Sequence, residues 1–299
     1  MWAMQPRFEH DIAAFMRRAA ELGYQAVEVN HSMTVEMART ILDGRVLPVA
    51  SVHAPAPLER HPTAGWNRDL NLASLDEAER VLAVDYTRRS IDLAAQAAAP
   101  NVVLHLGHVA PTMLDGERRL RALWPARDDS AATREEYAHT LDATVAERAA
   151  LAPPYLQAAR RSLADLALHA EARGVALGIE SRLLYHEFPL PEEAAALLAD
   201  HAPELVGYWH DVGHCEVHHR LGLTPIDRWF DLLGRRILGA HLHDVRDLTD
   251  HRAPGNGTVD FAWLAARLPA AAARTLEIDQ HEPDADLASA IEVLRAAGI

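Results

Sequence analysis

Lysine is absent from the 299 residues: every permanently charged basic side chain is an arginine, and the remaining basic groups are 18 histidines. That absence excludes Schiff-base chemistry and the phosphate-cradling P-loop, both of which need a lysine amine. A single cysteine, Cys215, excludes an internal disulfide framework and a cysteine-rich zinc site. No apolar run reaches the length of about 20 residues that a membrane span needs. The opening MWAMQPRFEHD lacks the charged, apolar and cleavage regions of a signal peptide, so a cytoplasmic protein with no membrane partner is expected. Positive charge is also scarce. A formal net charge of −14 argues against nucleic acid as a partner, because neutralising phosphates takes clustered basic residues.

Short apolar runs are present in number, and they alternate with longer helical patterns. The candidate strands are Trp2–Gln5, Ala26–Asn30, Leu47–His53, Asn101–Leu106, Val175–Glu180, Leu205–Asp211, Ile237–His243 and Thr275–Asp279. Between them, stretches such as DIAAFMRRAAELG place apolar residues at helical spacing and stop at glycine. SLDEAERVLAV is read as opening with a capping box from Ser74 to Glu77. Strands alternating with helices predict an α/β fold, a single parallel (β/α)8 barrel over 1–299, rather than an open sheet. No glycine-rich nucleotide loop follows the first strand, which an open doubly wound sheet usually carries. The charged segment 109–154 is too long for an ordinary loop after the fourth strand. It is expected to form helical pieces over the barrel mouth as a lid.

The stretch YWHDVGHCEVHH, residues 208–219, crowds four histidines, two carboxylates and the cysteine together. Barrel sites gather at the C-terminal ends of strands, so the strand ends decide its meaning. They carry His53 in SVHAP, His105 in VVLHLGH, Glu180 in GIESR, Asp211 with His214 in HDVGH, His241 and His243 in HLHD, and Glu277 in LEID. Stepping back by two finds small or apolar residues such as Ser51, Val103, Gly178 and Gly239, as a filled interior requires. Buried carboxylates and imidazoles converging on one mouth repel or desolvate badly unless a cation lies among them. Cys215, His218 and His219 are expected to belong to the following loop or helix, as non-ligands.

The ordered series SVHAP, VVLHLG, GIESR, HDVGH, HLHD, PGNG and LEID resembles the xylose-isomerase-like barrel superfamily, which joins sugar isomerases and epimerases to apurinic-site endonucleases. The resemblance covers nearly the whole chain outside 109–154. It implies a divalent metal held by Glu180, Asp211, His241 and Glu277. It also implies that His53, His105, His214 and His251 hold a second metal or contact substrate. In TDHRAPGNG the endonuclease pattern Asp-x-His reads Thr249-Asp250-His251, so the direct aspartate of a third site is missing.

Two chemistries follow. In the first, one metal polarises the carbonyl of an open-chain sugar or sugar phosphate, and the catalytic pair Glu180 and Glu277 removes and returns the neighbouring proton. In the second, a multinuclear zinc site hydrolyses a phosphodiester or a small ester or amide, as in the apurinic endonucleases. A third reading is a barrel that binds without catalysis. Arg182, Arg246 and Arg252 lie just beyond the fifth and seventh expected strands and are candidates to hold a substrate carboxylate or phosphate. Carboxylate and imidazole ligands suit Zn, Mn, Co or Mg, with Zn or Mn preferred. The partner expected is a small sugar-like substrate, with a homo-oligomer compatible.

Overall fold

The computed structural model describes residues 1–299. Seven strands form one sheet: β1 Val27–Val29, β2 Val49–His53, β3 Asn101–Leu104, β4 Ala176–Glu180, β5 Val206–Asp211, β6 Ile237–Leu242 and β7 Ala273–Leu276. Each strand pairs in parallel with its neighbour in the chain, so every connection is a crossover. Helix α1 Ile12–Glu21 precedes the first strand; the crossovers are built around α2 Val35–Gly44, α3 Glu77–Ala97, α4 Asp115–Leu123, α5 Ala131–Arg173, α6 Pro191–Leu198, α7 Val212–Arg220, α8 Ile226–Leu233 and α9 Phe261–Ala265, and α10 Asp284–Ala297 follows the last strand. The result is the α/β barrel read from the sequence, nearly closed. None of the helices is long and apolar enough to cross a membrane.

Closure stops at a seam between β7 and β1, because the expected first strand, Trp2–Gln5, is not a strand. Residues Trp2–Met4 form one 3-10 turn instead. The Met4 and Gln5 amides donate locally to the Met1 and Trp2 carbonyls, leaving no ladder. Trp2 packs against Phe8 and Phe15, with ring centroids 5.2 and 6.0 Å away, and its indole N–H donates to the Glu282 carbonyl at 3.2 Å. Those tertiary contacts override the extended tendency of the run. A cavity of about 390 Å³ remains along the seam, lined by apolar side chains including Trp2, Val27, Leu276 and Leu287.

Outward residues Val52, Val102, Leu104, Leu177, Ile179, Tyr208 and Leu242 are fully buried beneath the helices. Each such side chain contributes roughly 1.5–3 kcal/mol over leaving it exposed. The interior of the barrel is filled by Trp209. A Cβ on Gly239 would lie 2.3 Å from its ring and one on Gly178 3.0 Å from it, so two glycines on neighbouring strands make room for the indole. Trp209 thus forms the floor of the mouth, with its ring centroid 5.5 Å from that of His241.

Two local expectations change. The helix after Leu75 starts at Glu77, and Asp76 caps it by accepting from the Ala78 amide at 2.9 Å. Ser74 instead donates to Glu79 at 2.6 Å, so the predicted Ser74–Glu77 box is not formed. A carboxylate at the N-cap also meets the positive end of the helix, which favours Asp76 over the serine. The excursion 109–154 does not end at its prolines: α5 runs through Pro153 and Pro154 to Arg173. Its second half is the covering helix before β4, with Leu163 and Leu166 fully buried. Its first half and α4 reach over the mouth, where Leu114, Leu120, Tyr185, Val217, Leu221, Leu223 and Val245 make a separate apolar cluster. Trp124 donates to the Arg220 carbonyl at 3.1 Å and Tyr137 to that of Leu221 at 2.9 Å, tying this layer to α7.

Candidate metal centre

Strand register assembles the centre. Asp211 on β5 lies beside His241 on β6, and His241 lies beside Thr275 on β7, two residues before Glu277. Glu180 ends β4 one strand further round. Ligand atoms from Glu180, Asp211, His241 and Glu277 all fall within 4.8 Å of one another. His241 Nδ1 lies 2.7 Å from Glu180 Oε1, 3.1 Å from Glu277 Oε2 and 3.7 Å from Asp211 Oδ2. Four ligands with arms of about 2.0–2.1 Å around one tetrahedral ion would be roughly 3.3 Å apart, within this spread. All four residues are buried.

The donor set calls for a cation. Asp211 Oδ1 accepts from the His214 amide at 2.8 Å and from His243 Nε2 at 2.9 Å, whereas Oδ2 is buried without a hydrogen-bond partner. Burial alone would lower the His241 pKa, yet Glu28, Glu277 and Glu180 together hold it well above the ordinary imidazole value. Burial alone would likewise raise Glu277, but His241, His251 and His53 hold it well below the usual carboxylate range. A protonated imidazole thus answers, in the polypeptide itself, the negative charge that a divalent ion would neutralise. The residues present fit such an ion.

Two residues orient the ligands: one escaped the sequence reading, and the other was expected there only as a metal-competent strand end. Glu28 on β1 accepts from His241 Nε2, with its oxygens 3.1 and 3.3 Å away, and also from Ser51. This fixes Nε2 as the donor to Glu28, so that Nδ1, which faces the three carboxylates, is the nitrogen whose proton a divalent ion would displace. The Glu28 pKa, which burial would raise, is held down at about 2 by His241 and His53. The signal was an acid between the buried residues Val27 and Val29, inside a strand rather than at its end. His243 is the second. Its Nδ1 accepts from the His251 amide at 2.8 Å, so Nε2 carries the proton given to Asp211. With both nitrogens engaged, His243 orients Asp211 and has no lone pair for a metal. Its ring lies on Gly213, where a Cβ would be 2.1 Å away.

Around this centre lie two further groups. His53 Nε2 and His105 Nε2 are 2.6 Å apart, and they lie 3.3 and 2.7 Å from Glu180 Oε2. On the other side, His214 donates from Nδ1 to the Ser181 carbonyl at 3.0 Å, leaving Nε2 3.6 Å from Asp250 Oδ2. His251 Nδ1 reaches the same oxygen at 2.8 Å, without hydrogen-bond geometry. Burial would lower His251, but Asp250 and Glu277 raise it to about 9. His214, His251 and Asp250 thus face one another beside the primary centre.

The arginines part company. Arg182 is drawn into the mouth, donating to Glu180 Oε2 at 3.0 Å and pairing with Glu187 at 3.1 Å. Arg252 pairs with Glu282 at 2.7 Å, away from the ligands, and Arg246 is exposed on the short hairpin after β6. The same hairpin owes its shape to Asp244, which accepts from the amides of Val245, Gly255, Gly257 and Val259 and so explains the PGNG turn. His218 lies on α7, is 2% exposed, and bonds the Leu183 carbonyl at 3.0 Å. It is no ligand, but it packs under the covering layer rather than on a solvated loop. Cys215 is fully buried on the same helix.

A 26% identical relative, the uncharacterized protein y4fM of Sinorhizobium fredii, matches over 253 residues, 81% of this chain and 68% of its own. Among solved structures, a D-tagatose 3-epimerase-like protein superposes with a TM-score of 0.66 at 18% identity, covering 97% of this chain and 94% of that one. The D-psicose 3-epimerase of Clostridium cellulolyticum, solved with D-tagatose, gives 0.64 at 13% identity, covering 96% and 94%. Residues 16–297 match the family model described as xylose isomerase-like TIM barrel, and the chain belongs to that family.

Proposed function

We propose that the chain is a divalent-metal-dependent isomerase or epimerase acting on a small sugar or sugar phosphate. The observation that carries this reading is the convergence of Glu180, Asp211, His241 and Glu277 around the unpartnered Asp211 Oδ2. The epimerase names among the structural neighbours are consistent with it. When bound there, Zn, Mn, Co or Mg supplies Lewis acidity that polarises a substrate carbonyl and acidifies the adjacent C–H.

The chain's own residues do the rest. Glu277 contacts only His241 among the ligands, at 3.1 Å, and is 7% exposed. It takes the proton beside the carbonyl as a carboxylate, a role its depressed pKa keeps available at neutral pH. Glu180, the other member of the pair, has its outer oxygen held by Arg182, which fixes the carboxylate; it would return to the opposite side a proton first taken up from solvent, while Glu277 releases the abstracted proton to solvent. Trp209 closes the floor, while α4 and the first half of α5 cover the mouth and limit access of water.

The test is deuterium exchange. Zinc- or manganese-loaded protein in D₂O, offered a panel of ketoses and keto-sugar phosphates, should wash deuterium into the carbon beside the carbonyl by NMR. Glu277→Gln and Glu180→Gln should abolish the wash-in. No exchange with any member of the panel overturns the reading. One observation favours the zinc hydrolase as the alternative: His214, Asp250 and His251 converge beside the primary centre. Zinc-dependent hydrolysis of bis(p-nitrophenyl) phosphate, lost in His214→Ala, would establish that chemistry instead.

A further inference from the structure

Arg182 leaves β4 two residues after Glu180 and folds back over it. Its Nη1 donates to Glu180 Oε2 at 3.0 Å and also to His105 Nε2. From the far side, Nε and Nη2 both reach Glu187 Oε1 at 3.1 Å. Glu187 is itself fixed, since its Oε2 accepts from the Leu184 amide at 2.9 Å. The guanidinium is therefore clamped between two carboxylates, with its side chain only 16% exposed. Residues 180–187, ESRLLYHE, form the clamp from the end of β4 and the loop that follows it.

The clamp covers a group of donors that would otherwise suit an ion. His53 Nε2, His105 Nε2 and Glu180 Oε2 form a triangle with edges of 2.6, 2.7 and 3.3 Å. Ligands of one zinc ion would be separated by roughly 3.3 Å at its 2.0–2.1 Å bond lengths. An unprotonated imidazole nitrogen has a single lone pair, and that of His105 Nε2 is directed at Arg182. The guanidinium is always protonated, offers no lone pair of its own, and brings positive charge to the place a second metal would occupy.

We propose that Arg182 is a resident cation standing in for a divalent ion at the His53–His105–Glu180 corner, and that it sets the metal content of the mouth. The proposal rests on the mouth being a cation site, as argued above, and deepens it by excluding an ion from one defined corner. Glu180 would then offer its inner oxygen to a metal while Arg182 holds its outer oxygen, instead of serving two metals. That arrangement favours a single Lewis acid with a fixed hydrogen-bond donor beside it over a pair of ions clamping a phosphodiester.

The experiment counts zinc per chain by inductively coupled plasma mass spectrometry after loading with Zn²⁺ and desalting. Arg182→Ala and the neutral, similarly long Arg182→Gln should each hold one equivalent more than the unaltered protein. Adding His53→Ala to either should return the count to its starting value, and Arg182→Lys, which keeps the charge, should not raise it. His53→Ala alone should leave the count unchanged. The proposal is overturned if His53→Ala alone removes an equivalent, because an ion then already sits in the corner. It is equally overturned if both neutral variants keep the far-UV circular dichroism of the parent and gain no zinc. Should neither neutral variant fold, the His53→Ala count alone decides. An unaltered protein that binds no zinc at all would defeat the four-ligand reading instead, which is a different outcome.

Discussion

Glu28 offers a sharp probe of the centre, because it touches the proposed metal ligand His241 and none of the other three. Its oxygens lie 3.1 and 3.3 Å from His241 Nε2, and the pair is almost fully buried, with 7% of the Glu28 side chain exposed and none of His241. Replacing it by glutamine keeps the volume and one acceptor oxygen but removes the negative charge that holds Nε2 protonated and Nδ1 basic. Replacing it by alanine also leaves Nε2–H buried without an acceptor. Loss of such an outer partner typically costs 10–100-fold in metal affinity, about 1.4–2.7 kcal/mol. Glu28→Gln should therefore weaken zinc binding by about 10-fold and Glu28→Ala by about 100-fold. Competition against a fluorescent chelator at pH 7.5 measures both. Affinities within twofold of the parent for both variants would refute the idea that His241 binds through Nδ1 with Glu28 behind it.

Three further outcomes follow from the same geometry. His214→Ala should keep zinc at the four-ligand centre, since His214 gives Asp211 only its backbone amide, yet slow deuterium exchange by about 100-fold or more; parent-like exchange would remove His214 from the chemistry. Leu120→Ala, at a fully buried position in the cluster over the mouth, should cost about 2–5 kcal/mol of local packing, expose α4 to limited proteolysis and depress turnover without changing zinc content; full turnover with α4 cleaved would show that the covering layer does not serve the site. His218, whose pKa burial lowers to about 3, contributes stability that is present above the unfolded value and lost as the pH falls below it. With an unfolded value near 6.5, the advantage of the parent over His218→Asn in urea melts should shrink by about 2 kcal/mol between pH 7 and pH 5, and a constant difference would contradict the burial argument.

The sequence is informative where a strand end carries an unusual residue, and silent where contacts rather than pattern decide. β1 to β7 are all foreseeable, because each couples a short apolar run to a polar residue at its end or immediately after it, as in VASVH, ALGIE or VGYWHD. WAMQ shows a similar alternation yet curls into a 3-10 turn, since Trp2 finds Phe8, Phe15 and the Glu282 carbonyl. Nothing within those residues reveals that choice. The continuity of α5 through Pro153 and Pro154 is equally hidden: the prolines mark a boundary by local rules, whereas packing against β4 and against α7 holds both halves of one helix.

At the site, the search of strand ends reaches the four central side chains but passes over the residues that aim them. Glu28 lies one residue inside its strand, where an isolated acid reads as the solvent-facing member of an alternating run; because Val27 and Val29 are buried on the opposite face, the same alternation turns it inward toward His241. His243 reads as a ligand by spacing, two residues after His241, and the hairpin that follows makes it something else. His251, at φ 55 in the left-handed region, turns its amide onto His243 Nδ1 and uses up the lone pair. Arg182 shows the same limit from the opposite direction. Its position after Glu180 suggests a group reaching outward to substrate, but Glu187 returns along the loop and pulls the guanidinium back over Glu180 and His105. In each case the residue type and strand position are local properties, while the role depends on which partner takes the last free lone pair or proton. That partner is on a distant strand for Glu28 and further along the same loop for His243 and Arg182.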